Sequence, residues 1–199
     1  MKKLLHIVGL ACLLTGCAES PSIVSSSEYE KWSRSEASGL HRTREMDGIV
    51  FTVNYIPREE MALKEVGPDA TAEEWRDALE SKGDMAYFKL VYNLAESNQD
   101  ILKYNLYDEA EYYSRTNYLA FGVDKDVYLQ CGADRLPCRL HQYTPHYGIS
   151  PNAEVLFAFD KIDSTKNVTL VLEDQLFGSG ILQFEFTADD LKNIPTIQF

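Results

Sequence analysis

Short apolar runs with a period of two residues constrain the fold of this 199-residue chain more than any other feature. In residues 86–94, Ala, Phe, Leu, Tyr and Leu alternate with Tyr, Lys, Val and Asn. This alternation predicts a half-buried strand. Runs rich in β-branched and aromatic residues recur at Ile49–Ile56, 153–160, 167–173 and 181–186, and turn residues separate the last three. We therefore expect a mainly β chain built as an antiparallel sandwich.

Two capping patterns interrupt the strands and predict one or two inserted helices. Thr71 and Glu74 form a capping box, and the helix that it opens should stop at Gly83. The second pattern is Asp108–Glu111, and its helix should end at about Gly122.

The N-terminus has the parts of a secretory signal. Lys2 and Lys3 precede residues 4–14, which are almost entirely apolar. This run is about half the roughly 20 residues that a transmembrane helix needs. It ends in Leu14-Thr15-Gly16-Cys17, which resembles the lipobox of bacterial lipoproteins. The resemblance implies cleavage before Cys17 and diacylation of its thiol.

The residues after the lipobox bear on location and on domain limits. Ala18 occupies the second position of the mature chain, where Asp would signal retention at the inner membrane. The resemblance therefore implies the outer membrane, with the protein facing either the periplasm or the surface. We expect a signal peptide at 1–16, a lipidated flexible tether at 17–40 and a single sandwich-like domain at 41–199.

The charge of the chain excludes some partners. The net charge is −12, and removal of Lys2 and Lys3 with the signal takes it to −14. An acidic chain repels nucleic acid and anionic lipid surfaces. The expected partners are the membrane, through the N-terminal lipid, and other envelope proteins. No cofactor is expected, and the sequence does not identify a small-molecule ligand.

Cys131 and Cys138 are the cysteines left after removal of Cys12 with the signal and lipidation of Cys17. In an oxidising compartment they favour a disulfide across the turn between them. A metal site is the alternative, but six intervening residues do not match the close spacing of zinc knuckles. The sequence therefore predicts a disulfide-linked hairpin and no metal.

Catalytic motifs are weak throughout the chain. His141 and His146 lie on a predicted loop or strand end, in a spacing that matches no standard ligand pattern. Gly178-Ser179-Gly180 lacks the frame of a nucleophile elbow and fits a turn better. We therefore expect a protein without enzymatic activity.

Tyrosine is the one unusual count, at twelve. Five tyrosines fall within fifteen residues, and two more lie near the predicted hairpin, which gives a candidate interaction surface of Tyr104, Tyr107, Tyr112, Tyr113, Tyr118, Tyr143 and Tyr147. Three interpretations stay open: the rings fill a core, they anchor a protein interface, or they form a glycan platform.

Residues 154–186 resemble the closing strands of immunoglobulin-like domains in small bacterial envelope lipoproteins, and the helix–strand mixture is similar to that of Bacteroides-group lipoproteins. The resemblance implies an immunoglobulin-like sandwich. The function that we expect is that of a membrane-anchored, non-enzymatic protein-interaction or scaffold component of a secretion or envelope assembly. The alternative is a lipid-tethered glycan- or peptide-binding module.

Overall fold

The computed structural model describes residues 23–146 and 148–198. Cys17, the proposed lipidation site, and the signal peptide lie outside these residues. The described α-helices are α1 Ser26–Ser33, α2 Arg58–Val66, α3 Ala72–Ser81, α4 Glu109–Phe121 and α5 Ala188–Lys192. The described strands are β1 Ile23–Val24, β2 His41–Met46, β3 Ile49–Ile56, β4 Ala86–Leu94, β5 Val127–Cys131, β6 Asp134–Pro137, β7 Leu140–Tyr143, β8 Ala153–Phe159, β9 Val168–Asp174, β10 Gly180–Phe186 and β11 Thr196–Ile197.

Two antiparallel sheets make up most of the fold. One has five strands in the order β2-β3-β4-β8-β7, and the other has four in the order β10-β9-β5-β6. The short strands β1 and β11 form a separate parallel pair. The prediction of a mainly β chain with antiparallel strands is confirmed.

The two sheets enclose one core. Phe51, Phe88 and Phe157 from the five-stranded sheet belong to the same buried cluster as Leu170 and Phe184 from the four-stranded sheet. The alternation in the sequence explains this cluster, because every second residue of a strand points to the same side. The arrangement fits a β-sandwich.

The immunoglobulin-like strand order is not confirmed. Strands β2, β3 and β4 follow one another in sequence and lie side by side in one sheet. The immunoglobulin arrangement splits its first three strands between two sheets instead.

Several predicted elements agree closely with the structure. Strand β3 has the predicted limits Ile49–Ile56, and β4 covers 86–94. Helix α3 begins after Thr71, which accepts a hydrogen bond from the Glu74 N–H in the predicted capping box. Helix α2 was not predicted, because Pro57 provides no side-chain cap and the helix buries only two residues.

The range assigned to a flexible tether is partly folded. Within 17–40, helix α1 begins at a capping box between Ser25 and Glu28. Tyr29 is fully buried, in a small second core with Leu63 and Ile197. The folded part of the chain therefore begins by Ile23, well before the predicted boundary. The polar sequence of α1 gives no sign that this segment is folded, because a single buried ring, that of Tyr29, holds the helix in place.

The predicted disulfide between Cys131 and Cys138 is absent, and both are free thiols. Strands β5 and β6 form the predicted hairpin, but their register pairs Cys131 with Asp134 beside the turn, while Cys138 follows Pro137 at the far end of β6. Four residues of strand separate the two positions by about 13 Å. A disulfide requires Cβ atoms about 3.8 Å apart. The spacing of the two cysteines along the chain suggests a disulfide, but the register of β5 with β6 keeps them too far apart to form one.

Candidate interaction surface

Helix α4 carries much of the tyrosine-rich segment, and its first turn is held by two carboxylates. The Asp108 side chain accepts a hydrogen bond from the Glu111 N–H at 2.9 Å, and Glu111 Oε2 accepts one from the Tyr107 N–H at 2.8 Å. The bond from the Tyr107 N–H to the ionised Glu111 carboxylate holds the pKa of Glu111 below its usual value, and the hydrogen bond from Arg115 adds to the effect. The chain before the helix is thus fixed at Tyr107.

The inner side of α4 is anchored by Arg115, which is buried. Its guanidinium donates to the carbonyls of Leu102 and Tyr104, at 3.2 and 2.7 Å, and to Glu111 at 2.7 Å. It also stacks over the Phe177 ring at 5.1 Å. Burying an arginine is costly unless its N–H donors are hydrogen-bonded, and these contacts engage both terminal nitrogens, while Nε has no hydrogen-bond partner among the described residues. They fix the rotation of the helix about its axis.

The outer side of the same helix presents aromatic rings to solvent. Tyr113 is 63% exposed and Phe121 is 74% exposed. The two lie eight residues apart, a little over two turns, so they project from the same half of the helix about 12 Å apart. Tyr107, two residues before the start of the helix, is 94% exposed. We call Tyr107, Tyr113 and Phe121 the α4 aromatic surface.

The structure divides the predicted tyrosine set. Tyr104, Tyr112, Tyr118 and Tyr143 are half-buried and pack against the main core. These four support the core interpretation. Tyr147 lies outside the described residues.

Tyr118 shows how such a half-buried tyrosine is held. Its hydroxyl donates to Asp126 at 2.9 Å. Burial and this carboxylate raise the pKa of Tyr118 well above its usual value. The hydroxyl therefore stays protonated at physiological pH and acts as a structural hydrogen-bond donor.

Phe121 lies on the α4 aromatic surface but outside the predicted set, because that set rests on the count of tyrosines alone. The signal was available: on a helix that ends at Gly122, Phe121 follows Tyr113 by eight residues and so shares its side. Leu119 between them is fully buried on the other side. A helical projection of α4 would have separated the two faces.

The histidines and cysteines serve other contacts. His141 Nε2 donates to the carbonyl of Ala120 at 3.0 Å, and Nδ1 lies 3.6 Å from Asp124. Burial raises the pKa of Cys138 to about 11 and also raises that of Cys131, so neither thiol is an activated nucleophile. Across residues 23–146 and 148–198, no three His, Cys, Asp or Glu side chains are grouped so that they could hold a metal ion.

The described helices are all too short or too polar to cross a bilayer. Helix α4, at 13 residues, is the longest of them.

Comparisons with known proteins assign no family. No family model matches the sequence, and no curated protein matches it. Among solved structures, a DUF4426 family protein from Pseudomonas aeruginosa PAO1 is 8% identical. The match covers 74% of this chain and 91% of that chain, with a TM-score of 0.36. This likeness is too low to indicate a shared fold or function.

Proposed function

We propose that this chain is a lipid-anchored protein of the bacterial outer membrane, and that it works as a non-enzymatic interaction or scaffold component of an envelope or secretion assembly. The observation that carries the proposal is the α4 aromatic surface, in which three large rings face solvent around one rigid helix. Exposed aromatic residues on a fixed support are the usual anchors of protein interfaces.

The charges near this surface favour one kind of partner. Asp108 and Glu109 are exposed at the start of α4, and the one basic residue of the helix, Arg115, is buried and paired with Glu111. At its Tyr107 and Tyr113 end, the surface therefore combines aromatic rings with negative charge. A protein with an apolar recess bordered by lysine or arginine would complement it, since opposite charges speed association and fix register.

Crosslinking in intact cells, followed by purification through a C-terminal tag and mass spectrometry, tests the proposal. We expect a few stoichiometric envelope proteins. The triple variant Tyr107→Ala, Tyr113→Ala, Phe121→Ala should lose them, because truncation of interface anchors costs about 2 kcal/mol or more each.

A matched control is Leu140→Ala with Ile181→Ala, which removes two similarly exposed apolar side chains at 66% and 65% exposure from strands β7 and β10. This control should keep the partners. Equal recovery with the triple variant would place the interface elsewhere. No partner above background would refute the interaction function and favour the glycan- or peptide-binding alternative.

The anchor is tested separately with Cys17→Ala. This variant should give soluble or unprocessed protein, because Cys17 is the one proposed lipid site and at least two acyl chains are needed for stable attachment. A processed, lipid-bearing product from the variant would exclude this anchor.

A further inference from the structure

A cavity of about 470 Å³ lies at the end of the sandwich where β3 runs into α2 and β4 begins. Its walls come from helices α2 and α3, from the segment after β8, and from the segment that follows α5. This is the end of the sheets away from the β9–β10 turn that supports α4. We call it the basal cavity. Its size falls within the range of about 300–1,000 Å³ that is typical of small-molecule sites.

One part of the basal cavity has an apolar lining, and polar or charged side chains line the rest. Leu79, Ile162, Leu191 and Ile194 line the apolar part, together with the indole of Trp75. Leu191 is buried and the other four are half-buried, so the walls are fixed parts of the fold. Aliphatic walls of this kind favour a hydrocarbon chain over a sugar, whose hydroxyls would lose hydrogen bonds to water on entering.

The mouth of the cavity is charged. Lys161 Nζ lies 2.9 Å from Asp84 Oδ2, and Arg58 Nη1 lies 3.8 Å from Asp84 Oδ1. All three side chains are substantially exposed, at 70% for Lys161, 62% for Asp84 and 43% for Arg58. The two cations hold the pKa of Asp84 below its usual value. Two cations therefore converge on one carboxylate that water also reaches.

We propose that the basal cavity binds an amphipathic monocarboxylate of the medium-chain fatty-acid class, with its chain between the apolar walls and its carboxylate at Arg58 and Lys161. Both cations already contact a carboxylate, that of the exposed Asp84, and the carboxylate of the ligand would share or replace this contact. A single negative charge fits best, because Asp84 and Glu59, which contacts Arg58 Nε at 3.3 Å, would repel a phosphate dianion.

Calorimetric titration with hexanoate, octanoate and decanoate, each below its micelle concentration, tests the apolar part of the site. Each methylene that enters the cavity should lower Kd about fourfold, so each two-carbon step should lower it about 15-fold. A Trp32→Phe background leaves Trp75 as the reporter indole, since the chain has two tryptophans. Its fluorescence should change with the same Kd. The absence of saturable heat and of a Trp75 response with decanoate would overturn the proposal.

The head-group contacts are tested with 1-decanol and with charge variants. Decanol should bind about two- to fivefold more weakly than decanoate, the size expected for exposed ion pairs. Arg58→Ala with Lys161→Ala should weaken decanoate binding to the level of decanol. Lys166→Ala is the matched control, because Lys166 is 66% exposed and pairs with Asp163. It should leave Kd unchanged.

Circular dichroism establishes that each variant is folded, which these exposed substitutions should allow. Equal Kd values for decanoate and decanol, or an unchanged Kd in the double variant, would refute the assigned carboxylate position. The proposal is independent of the α4 aromatic surface. The triple variant of that surface should therefore bind decanoate as the unmodified protein does, whatever the outcome of the partner experiment.

Discussion

The buried carboxylate of Asp174 should be a major determinant of stability in this fold. Asp174 is 4% exposed at the end of β9, and its oxygens accept hydrogen bonds from three backbone N–H groups of the following turn. These are the N–H groups of Leu176 at 3.2 Å, Phe177 at 3.3 Å and Ser179 at 2.9 Å. One side chain thus organises the whole β9–β10 connection.

The loss of unfolding free energy depends on whether each of the three N–H groups finds another acceptor once the Asp174 side chain is removed. In Asp174→Ala, the N–H of Leu176 stays buried without an acceptor, while those of Phe177 and Ser179 are partly accessible and can bind water. A buried unsatisfied donor costs about 1–3 kcal/mol, and lost bonds to a charged acceptor cost more than neutral ones. We therefore expect a loss of about 3 kcal/mol in the free energy of unfolding.

The loss should extend to α4, because the turn carries Phe177, on which Arg115 stacks. Asp174→Asn keeps one carbonyl oxygen as an acceptor, so it should cost less, about 1–2 kcal/mol. Asp69→Ala is the control, because Asp69 is exposed. Its effect should lie within about 0.5 kcal/mol.

Urea denaturation of the three variants measures these values directly, and thermal melting should show Asp174→Ala about 6–12 °C below the unmodified protein. The order of stability should be Asp69→Ala, then Asp174→Asn, then Asp174→Ala. An Asp174→Ala variant as stable as the control would refute the argument, because it would mean that the turn does not depend on this carboxylate.

Three further predictions concern the thiols, the pH dependence and the core. Cys131 and Cys138 should both be alkylated under denaturing, non-reducing conditions, and Cys138 should react slowly in the native state because burial raises its pKa to about 11; an unreactive pair would indicate a disulfide after all. Glu111 has a pKa held below 4.5, so its contribution is present above about pH 4.5 and disappears as the pH falls through the lowered value. Melting curves should therefore show Glu111→Gln less stable at pH 7, with the difference vanishing in acid; a constant difference would contradict the assignment. Phe88→Ala should cost about 3–5 kcal/mol in urea denaturation, because the ring is fully buried between Phe159 and Phe186, and a loss under 1 kcal/mol would mean that these contacts are not maintained.

The parts of the fold that the sequence predicted are those whose signal is local. Strand β4 alternates over nine residues, and the caps of α3 and α4 are short motifs. Strand β2 has no such signal, because four of its six residues are exposed at the edge of a sheet. The position of β2 in the sheet depends on its hydrogen bonds to β3, and this pairing forms only in the folded chain.

The candidate interaction surface was predicted only in part, because only some of the features that form it have a local signal in the sequence. The sequence located the tyrosine-rich segment, but local composition does not say which ring faces inward. Arg115 decides this, because its bonds to Leu102 and Tyr104 orient α4. The predicted disulfide between Cys131 and Cys138 is wrong for a similar reason, since spacing along the chain does not fix strand register.

The parallel pairing of β1 with β11 has a mechanical consequence. Ile23 pairs with Thr196 and Val24 with Ile197, and the Gln198 N–H donates to the Val24 carbonyl at 3.0 Å. If the chain is anchored upstream of β1, tension on that anchor reaches the body first through this two-residue ladder. Such a short ladder should yield before the long strands of the sandwich. Under such tension the β1–β11 pair would separate first and release extra length of chain, while the core and the α4 aromatic surface stay folded.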